Sequence, residues 1–354
     1  MKKRPLTIAV TGMNATDNPA PGVGVMRALR EGNTGDRLVG LAYDALDPGV
    51  YAESLVREVF MIPYPSQGID AFLSRIAYVH EKVGLDVIIP TLDAELPSFI
   101  ELAPELRRMG IGMLLPTREQ LDLRSKVNLF GLGKKAGIRV PETAVISDEA
   151  EIYRAHEKVP YPFYVKGVFY GATLATCADE AIAAFHKVVA QWGVPVILQT
   201  RVPGEELDVV GVGDGAGGLV GAVPMKKMMI TDKGKGWAGI TVKDPGLMAV
   251  ARDFVAATRW RGPFEVEVMR DDKGHYHLIE VNPRFPAWVY LSAGAGVNLP
   301  RMVAALAAGE PVQACGDYEV GAMFVRISLD QVVSFRDFQR MVTLGEVVRE
   351  TASA

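Results

Sequence analysis

Three side chains, Glu267, Glu280 and Asn282, have the types and the spacing to do chemistry together. Glu267 lies in the alternating run Phe264-Glu265-Val266-Glu267-Val268-Met269. Glu280 and Asn282 lie in Tyr276-His277-Leu278-Ile279-Glu280-Val281-Asn282-Pro283-Arg284. The two runs flank Arg270-Asp271-Asp272-Lys273-Gly274-His275, a Gly-containing turn, and so predict a β-hairpin. Residues two apart on a strand share a face, which puts Glu280 beside Asn282. Glu267 can meet them from the neighbouring strand. Two carboxylates and an amide oxygen make a hard, oxygen-rich set suited to Mg²⁺ held between protein and phosphates.

Phosphate-binding groups lie upstream. Lys166 ends the apolar run Tyr164-Val165-Lys166, and Gly167, Gly171 and Ala172 follow closely. A lysine leaving a strand toward small residues can meet phosphate oxygens while loop N–H groups complete the cradle. Lys126 sits on an earlier predicted helix and can reach the same phosphates. The chain has no G-x-x-x-x-G-K-[ST] phosphate loop. The run from Val196 to Gln199 enters Thr200-Arg201-Val202-Pro203-Gly204-Glu205-Glu206, a strand reaching a hinge. The backbone of such a hinge can read an adenine edge, and a carboxylate just beyond it can take ribose hydroxyls.

The elements that must position these groups alternate in the first third of the chain. Strands are predicted at 6–10, 38–43, 87–89 and 112–115, with helices at 25–30, 69–83 and 94–109, which reads as a parallel α/β domain. A helix over 118–136, closed by Gly137, opens a new segment. Strand-like runs follow at 163–166, 196–199, 207–212 and 219–224, with a helix over 179–191. A helix over 247–258 precedes the acidic hairpin. A helix over 298–308 and a strand over 319–328 come last, with 351–354 a frayed end.

A chain of 354 residues with 49% apolar and 23% charged residues is ordinary for a globular protein of two or three domains. Its net charge of -4 supports neither a nucleic-acid nor a membrane partner. Cys177 and Cys315 offer no disulfide framework or zinc spacing, and with no signal-peptide core the expected location is cytoplasmic.

In order, these pieces resemble the ATP-grasp superfamily, in its carbamoyl-phosphate-synthase-like, carboxylate–amine ligase branch. The most specific stretch is Ile279-Glu280-Val281-Asn282-Pro283-Arg284, together with its distance from Glu267. The resemblance covers nearly the whole chain. It implies a doubly wound parallel α/β pre-ATP-grasp domain over 1–116 and a helix plus small lid subdomain over 117–203. A large antiparallel-sheet ATP-grasp subdomain over 204–312 follows, then a strand and helix extension over 313–354. By resemblance, Glu267, Glu280 and Asn282 hold Mg²⁺, or Mn²⁺ in its place. Lys126 and Lys166 bind ATP phosphates, with Gly171 in the lid loop. Gln199 and Val202 flank adenine, and Glu206 binds ribose. One of Lys226 and Lys227, taken here as Lys227, adds a phosphate contact, and Arg284 stabilises the moving phosphoryl group.

The implied activity is ATP-dependent joining of a carboxylate to an amine, or to a thiol, through an acyl phosphate, with ADP as product. Its partners are small molecules, and family habit implies a homodimer through the first domain. Two features depart from the family. The loop Gly167-Val168-Phe169-Tyr170-Gly171-Ala172 is poor in glycine, and Phe285-Pro286-Ala287-Trp288 stands where small residues are usual. Trp288 is either an acceptor wall or core packing. Two other readings exist. A non-catalytic nucleotide-binding sensor keeps the same residues. A dehydrogenase would use Gly22-x-Gly24 and Asp44, but Arg27 stands where its third glycine belongs.

Overall fold

The computed structural model describes residues 4–349 except Asp17, Asn33, Phe169, Tyr170, Asp232, Lys233 and Lys235. Two residues of the lid loop, Phe169 and Tyr170, and the 351–354 end therefore lie outside the described residues.

The chain begins with β1 (Thr7–Val10), β2 (Arg37–Ala42), β3 (Glu58–Met61) and β4 (Val87–Ile89), which pair in parallel in the order β3-β2-β1-β4. Helices Gly22–Glu31, Ile69–Val83 and Leu96–Arg108 accompany them. Strand order reverses between β1 and β4, and a doubly wound sheet opens its ligand crevice at such a point, beyond the carboxyl ends of the strands. The first helix begins at Gly22, earlier than the sequence pattern indicates. A Cβ there would meet the Thr11 carbonyl oxygen at 2.1 Å, so glycine lets the helix start press against the loop after β1.

Next comes a four-stranded antiparallel sheet of β5 (Thr143–Ile146), β6 (Phe163–Lys166), β7 (Ala172–Ala175) and β8 (Val196–Thr200), in the order β5-β8-β6-β7. The helix Ala178–Trp192 packs on it. Then β9 (Glu205–Asp214), β10 (Leu219–Ile230), β11 (Gly236–Thr241), β12 (Arg261–Arg270), β13 (Tyr276–Asn282) and β14 (Met323–Val325) form an antiparallel sheet in the order β13-β12-β9-β10-β11-β14. Finally the chain returns to the first sheet, where β15 (Glu346–Val348) pairs antiparallel with β3.

Alternation divides the large sheet into two faces. Leu207, Val209, Phe264, Val266 and Val268 enter a core with Phe254 and Trp260. On the other face Val210, Val212, Val223 and Met225 share a core with Ile8, Val10 and Met13 of the first domain. Among the described residues, the four-stranded sheet has a separate core built from its own segment, Ile146 to Leu198.

Three sequence expectations need correction. Residues 112–115 do not form a ladder; only Gly112 bridges Val87. The Arg261 guanidinium takes the carbonyls of Met113 (3.1 Å) and Leu115 (2.8 Å), so a side chain satisfies them. The helix over 118–136 is two helices, Arg118–Leu123 and Leu129–Ala136. Between them Asn128 Nδ2 donates to the Asp122 carbonyl at 2.9 Å and closes the first helix. The strand over 319–328 shrinks to β14, because the Glu319 carbonyl accepts the Thr241 hydroxyl and Gly321 turns the chain at φ +92°.

Candidate active site

The acidic hairpin is β12–β13, with Glu267 opposite Glu280 and Glu265 opposite Asn282. A bulge beside Glu280 breaks the simple alternation. It lets both Leu278 and Val281 reach the core while Glu280 and Asn282 stay with Glu267. Across the next ladder Asp208 of β9 stands opposite Glu267. The polar end of this face thus carries Glu206, Asp208, Glu265, Glu267, Glu280 and Asn282.

Lys227 neutralises the centre of that cluster. Its ammonium donates to Glu206 and to Glu267 (3.0 Å) and lies 3.3 Å from Asp208. The oxygens of Glu206, Asp208 and Glu267 converge within 4.8 Å of one another, a spacing fit for a cation. Burial would discharge Lys227, but Glu267, Asp208 and Glu206 outweigh it and hold the ammonium charged. Burial pushes the fully enclosed Asp208 well up, and among the described residues neither of its oxygens has a hydrogen-bond partner. Glu265 is pushed up to about 7 by burial and by Glu267. Burial also opposes ionisation of Glu267, but Lys227 and then Arg284 keep its carboxyl below the usual range. Of the two neighbouring lysines, Lys226 pairs instead with Glu205.

The turn between the two short helices aims two cations here. Lys126 Nζ lies 3.3 Å from Glu280, and Arg124 lies 3.3 Å from Asp93. Lys166, at the end of β6, donates to Gln199 Oε1 at 2.6 Å. Burial, then repulsion from Lys126, lowers its pKa to about 8. Thr200 to Gly204 forms the hinge into β9. Gly204 has φ +152°, and a Cβ there would strike the Arg270 carbonyl oxygen at 2.1 Å, so only glycine fits. Val202 lines a separate hollow of about 490 Å³ with Phe130, Arg139 and His277, and is not in direct company with the acidic cluster. Gly171 has φ +87° and open space around it.

The cluster opens into a cleft of about 440 Å³. The large sheet supplies Lys227, Glu265, Glu267, Asn282 and Arg284. The loops after β1 and β4, at the strand-order reversal, supply Gly12, Asn14, Leu92 and Asp93. Buried Glu95 ties these two loops by accepting Thr11 Oγ1 and the N–H groups of Thr91 (2.7 Å) and Leu92 (2.9 Å). Arg284 Nε donates to Asp93 at 2.6 Å, which joins the large sheet to the first domain inside the cleft. Although burial resists it, Arg284 and Arg124 keep the Asp93 carboxyl below its usual range. Trp288 lines the cleft and is also 5% exposed within the shared core, so it is both cleft wall and core packing. Arg326, just after β14, lines the cleft too, and its NH2 group donates to the Gly236 carbonyl at 3.2 Å.

Asp93, Asp208, Glu265 and Arg326 were not singled out by sequence. Glu265 and Asp208 carried a signal, since each is two residues from a candidate on the same strand. Asp93 and Arg326 carried none, because their place depends on packing between domains.

Residues 193–327 match the family model described as ATP-grasp in the biosynthetic pathway with Ter operon. No curated protein matches the chain in sequence. Among solved structures, the biotin carboxylase domain of Hydrogenobacter thermophilus 2-oxoglutarate carboxylase, complexed with MgADP, ADP and bicarbonate, superimposes with a TM-score of 0.70 at 17% identity. That match covers 91% of this chain and 74% of the other. A Bacillus licheniformis L-amino acid ligase gives 0.65 at 17% identity over 88% of this chain and 76% of that one. An ADP complex of N5-carboxyaminoimidazole ribonucleotide synthetase gives 0.65 at 14% identity, covering 90% and 79%.

Proposed function

From the ATP-grasp fold that the chain carries, we propose that it is a Mg-dependent, ADP-forming ligase joining a small carboxylate to an amine or a thiol through an acyl phosphate. The observation that carries this reading is that the acidic sheet face opens, past Arg284, into a cleft of about 440 Å³. Lys126 and Lys166 stand by the acidic face, which is suited to a metal-bound triphosphate. Glu265, Glu267 and Asn282 of that face also wall the cleft, which reaches the first-domain loops and is roomy enough for a small organic acid.

The donors fit a hard divalent cation. Glu267 and Glu280 are cross-strand neighbours, and Asn282 uses its N–H₂ on Glu265 and Glu267, so its oxygen turns away from them to the side where Arg284 reaches it at 3.4 Å. When bound, Mg²⁺ supplies charge neutralisation at the β- and γ-phosphates. The chain's own residues do the rest. Lys126 and Lys166 hold phosphate oxygens, with the lid loop at Gly171 over them. Gln199 and Val202 flank the adenine, and half-exposed Glu206 takes ribose hydroxyls. Lys227 and Arg284 offset charge as a carboxylate oxygen takes the γ-phosphoryl group and ADP departs. The amine nitrogen then attacks the acyl carbon, the bond to phosphate breaks and a proton leaves the nitrogen. The separate lid excludes water meanwhile. Both cysteines are free thiols, which supports a reducing, cytoplasmic setting.

The test is a screen of carboxylate–amine pairs for ADP and phosphate release, with mass detection of the adduct. The reading expects a pair that raises ADP in step with adduct. AMP and pyrophosphate as the stoichiometric products would overturn it.

A further inference from the structure

The amide of Asn282 is not free to choose its orientation. Its Nδ2 donates to Glu265 Oε2 and to Glu267 Oε1, both at 2.9 Å. The Glu267 carboxylate only accepts, so the amide N–H₂ and not its oxygen must face it and the neighbouring Glu265, and the oxygen points away. On that side the Arg284 guanidinium approaches Asn282 Oδ1 at 3.4 Å. Glu265 is in turn held by a second donor: Trp288 Nε1 donates to Glu265 Oε1 at 2.7 Å. Glu265 is 5% exposed and so is Trp288, so water does not compete well for either bond.

We propose that Glu265 and Trp288 are positioning residues that hold the Asn282 amide oxygen toward the metal. The inference rests on the reading of Asn282 as a metal ligand and adds two residues behind it. Glu265 has one oxygen for each donor. A glutamine there offers one acceptor oxygen and one N–H₂ group to two donors. One donor then faces another, and the Asn282 amide is released to turn its N–H₂ toward the cation. Trp288 fixes which Glu265 oxygen faces Asn282. It also lines the cleft, so the wall of the acceptor space and a metal ligand belong to one hydrogen-bonded chain.

The test titrates Mn²⁺ by electron paramagnetic resonance into protein saturated with ADP, and measures metal-free ADP affinity and melting temperature alongside. Residues that orient metal ligands change metal affinity by about 10–100-fold. Glu265→Gln is expected to weaken Mn²⁺ binding at least tenfold on that scale, with metal-free ADP affinity unchanged. Trp288→Phe keeps an aromatic ring in the wall while it removes the N–H with part of the indole, and is expected to weaken Mn²⁺ in the same direction but less. Folded Glu265→Gln with wild-type Mn²⁺ affinity overturns the role of Glu265. If Glu265→Gln does not fold, Trp288→Phe decides, and unchanged Mn²⁺ affinity in it overturns the proposal. Wild-type protein that binds ADP but no Mn²⁺ removes the metal reading itself, a failure distinct from equal binding by wild type and variants.

Discussion

In the proposed chemistry the large sheet and the small four-stranded sheet both contribute charged groups, yet they are built in opposite ways. The large sheet shares a core with the first domain through Val210, Val212, Val223 and Met225 packed near Ile8 and Val10. Its acidic face is already cross-linked by Lys227, and Arg284 bonds to Asp93 across the domain boundary. The small sheet keeps a private core between Ile146 and Val188 on one side and Leu198 on the other. Its edge strand β7 is exposed at Ala172, Thr173 and Leu174. A shared core transmits strain as one body, whereas a private core joined by a hinge can move whole. On the proposed reading the acidic face is thus a platform and the lysine-bearing sheet a cover.

Substitutions should separate the two regions. The largest effect falls on the platform: Lys227→Met leaves Asp208 and Glu267 buried without their counter-charge. Its cost is expected at about 3–5 kcal/mol in chemical denaturation. A loss well under 1 kcal/mol, a surface-pair value, would break the picture of a pre-assembled face. Next is Glu280→Gln, which removes a ligand charge and little volume. Turnover should drop about a hundredfold or more while the melting temperature is kept. Unchanged turnover at limiting Mg²⁺ contradicts the role.

The cover should respond to nucleotide rather than to denaturant. Lys166 is lowered to about 8 by burial and then by Lys126. The unfolded lysine still holds its proton up to its ordinary value of 10.5, so between these two the unfolded state binds more protons and stability contributed by this group rises with pH. Binding works in the other direction. Phosphates need the charged lysine, so metal-free ADP affinity should fall as pH climbs past about 8. Calorimetry at pH near 9, in buffers of different ionisation enthalpy, should find proton uptake on ADP binding that Lys166→Met abolishes. Equal uptake in that variant removes Lys166 from the phosphates. The smallest effect is in hydrogen exchange: Mg·ADP should slow residues 163–168 and 171–175 while β12 changes little. Equal slowing in both would make the cover part of the platform.

Legibility in the sequence followed the same division. The hairpin carrying Glu267, Glu280 and Asn282 was readable because alternation and a turn are local. The helix at Ile69–Val83 and the strands at β4 and β6 were readable for the same reason. The strands β5 and β15 were not, being short edges whose partners lie far along the chain, and β7, though it pairs with nearby β6, is only four residues long and mostly exposed. The break at residues 124–128 was hidden too, since helical periodicity continues through it while Arg124 and Lys126 are drawn to Asp93 and Glu280. Asp93 and Arg326 became visible only once two domains met around the cleft.

The most direct test of the central claim follows the oxygen. With an accepted carboxylate labelled with ¹⁸O, an acyl phosphate must transfer one label to the departing phosphate when the amine attacks. The account predicts ADP together with inorganic phosphate carrying one ¹⁸O per adduct formed. Adduct formation with unlabelled phosphate, or with the label in AMP, would contradict it.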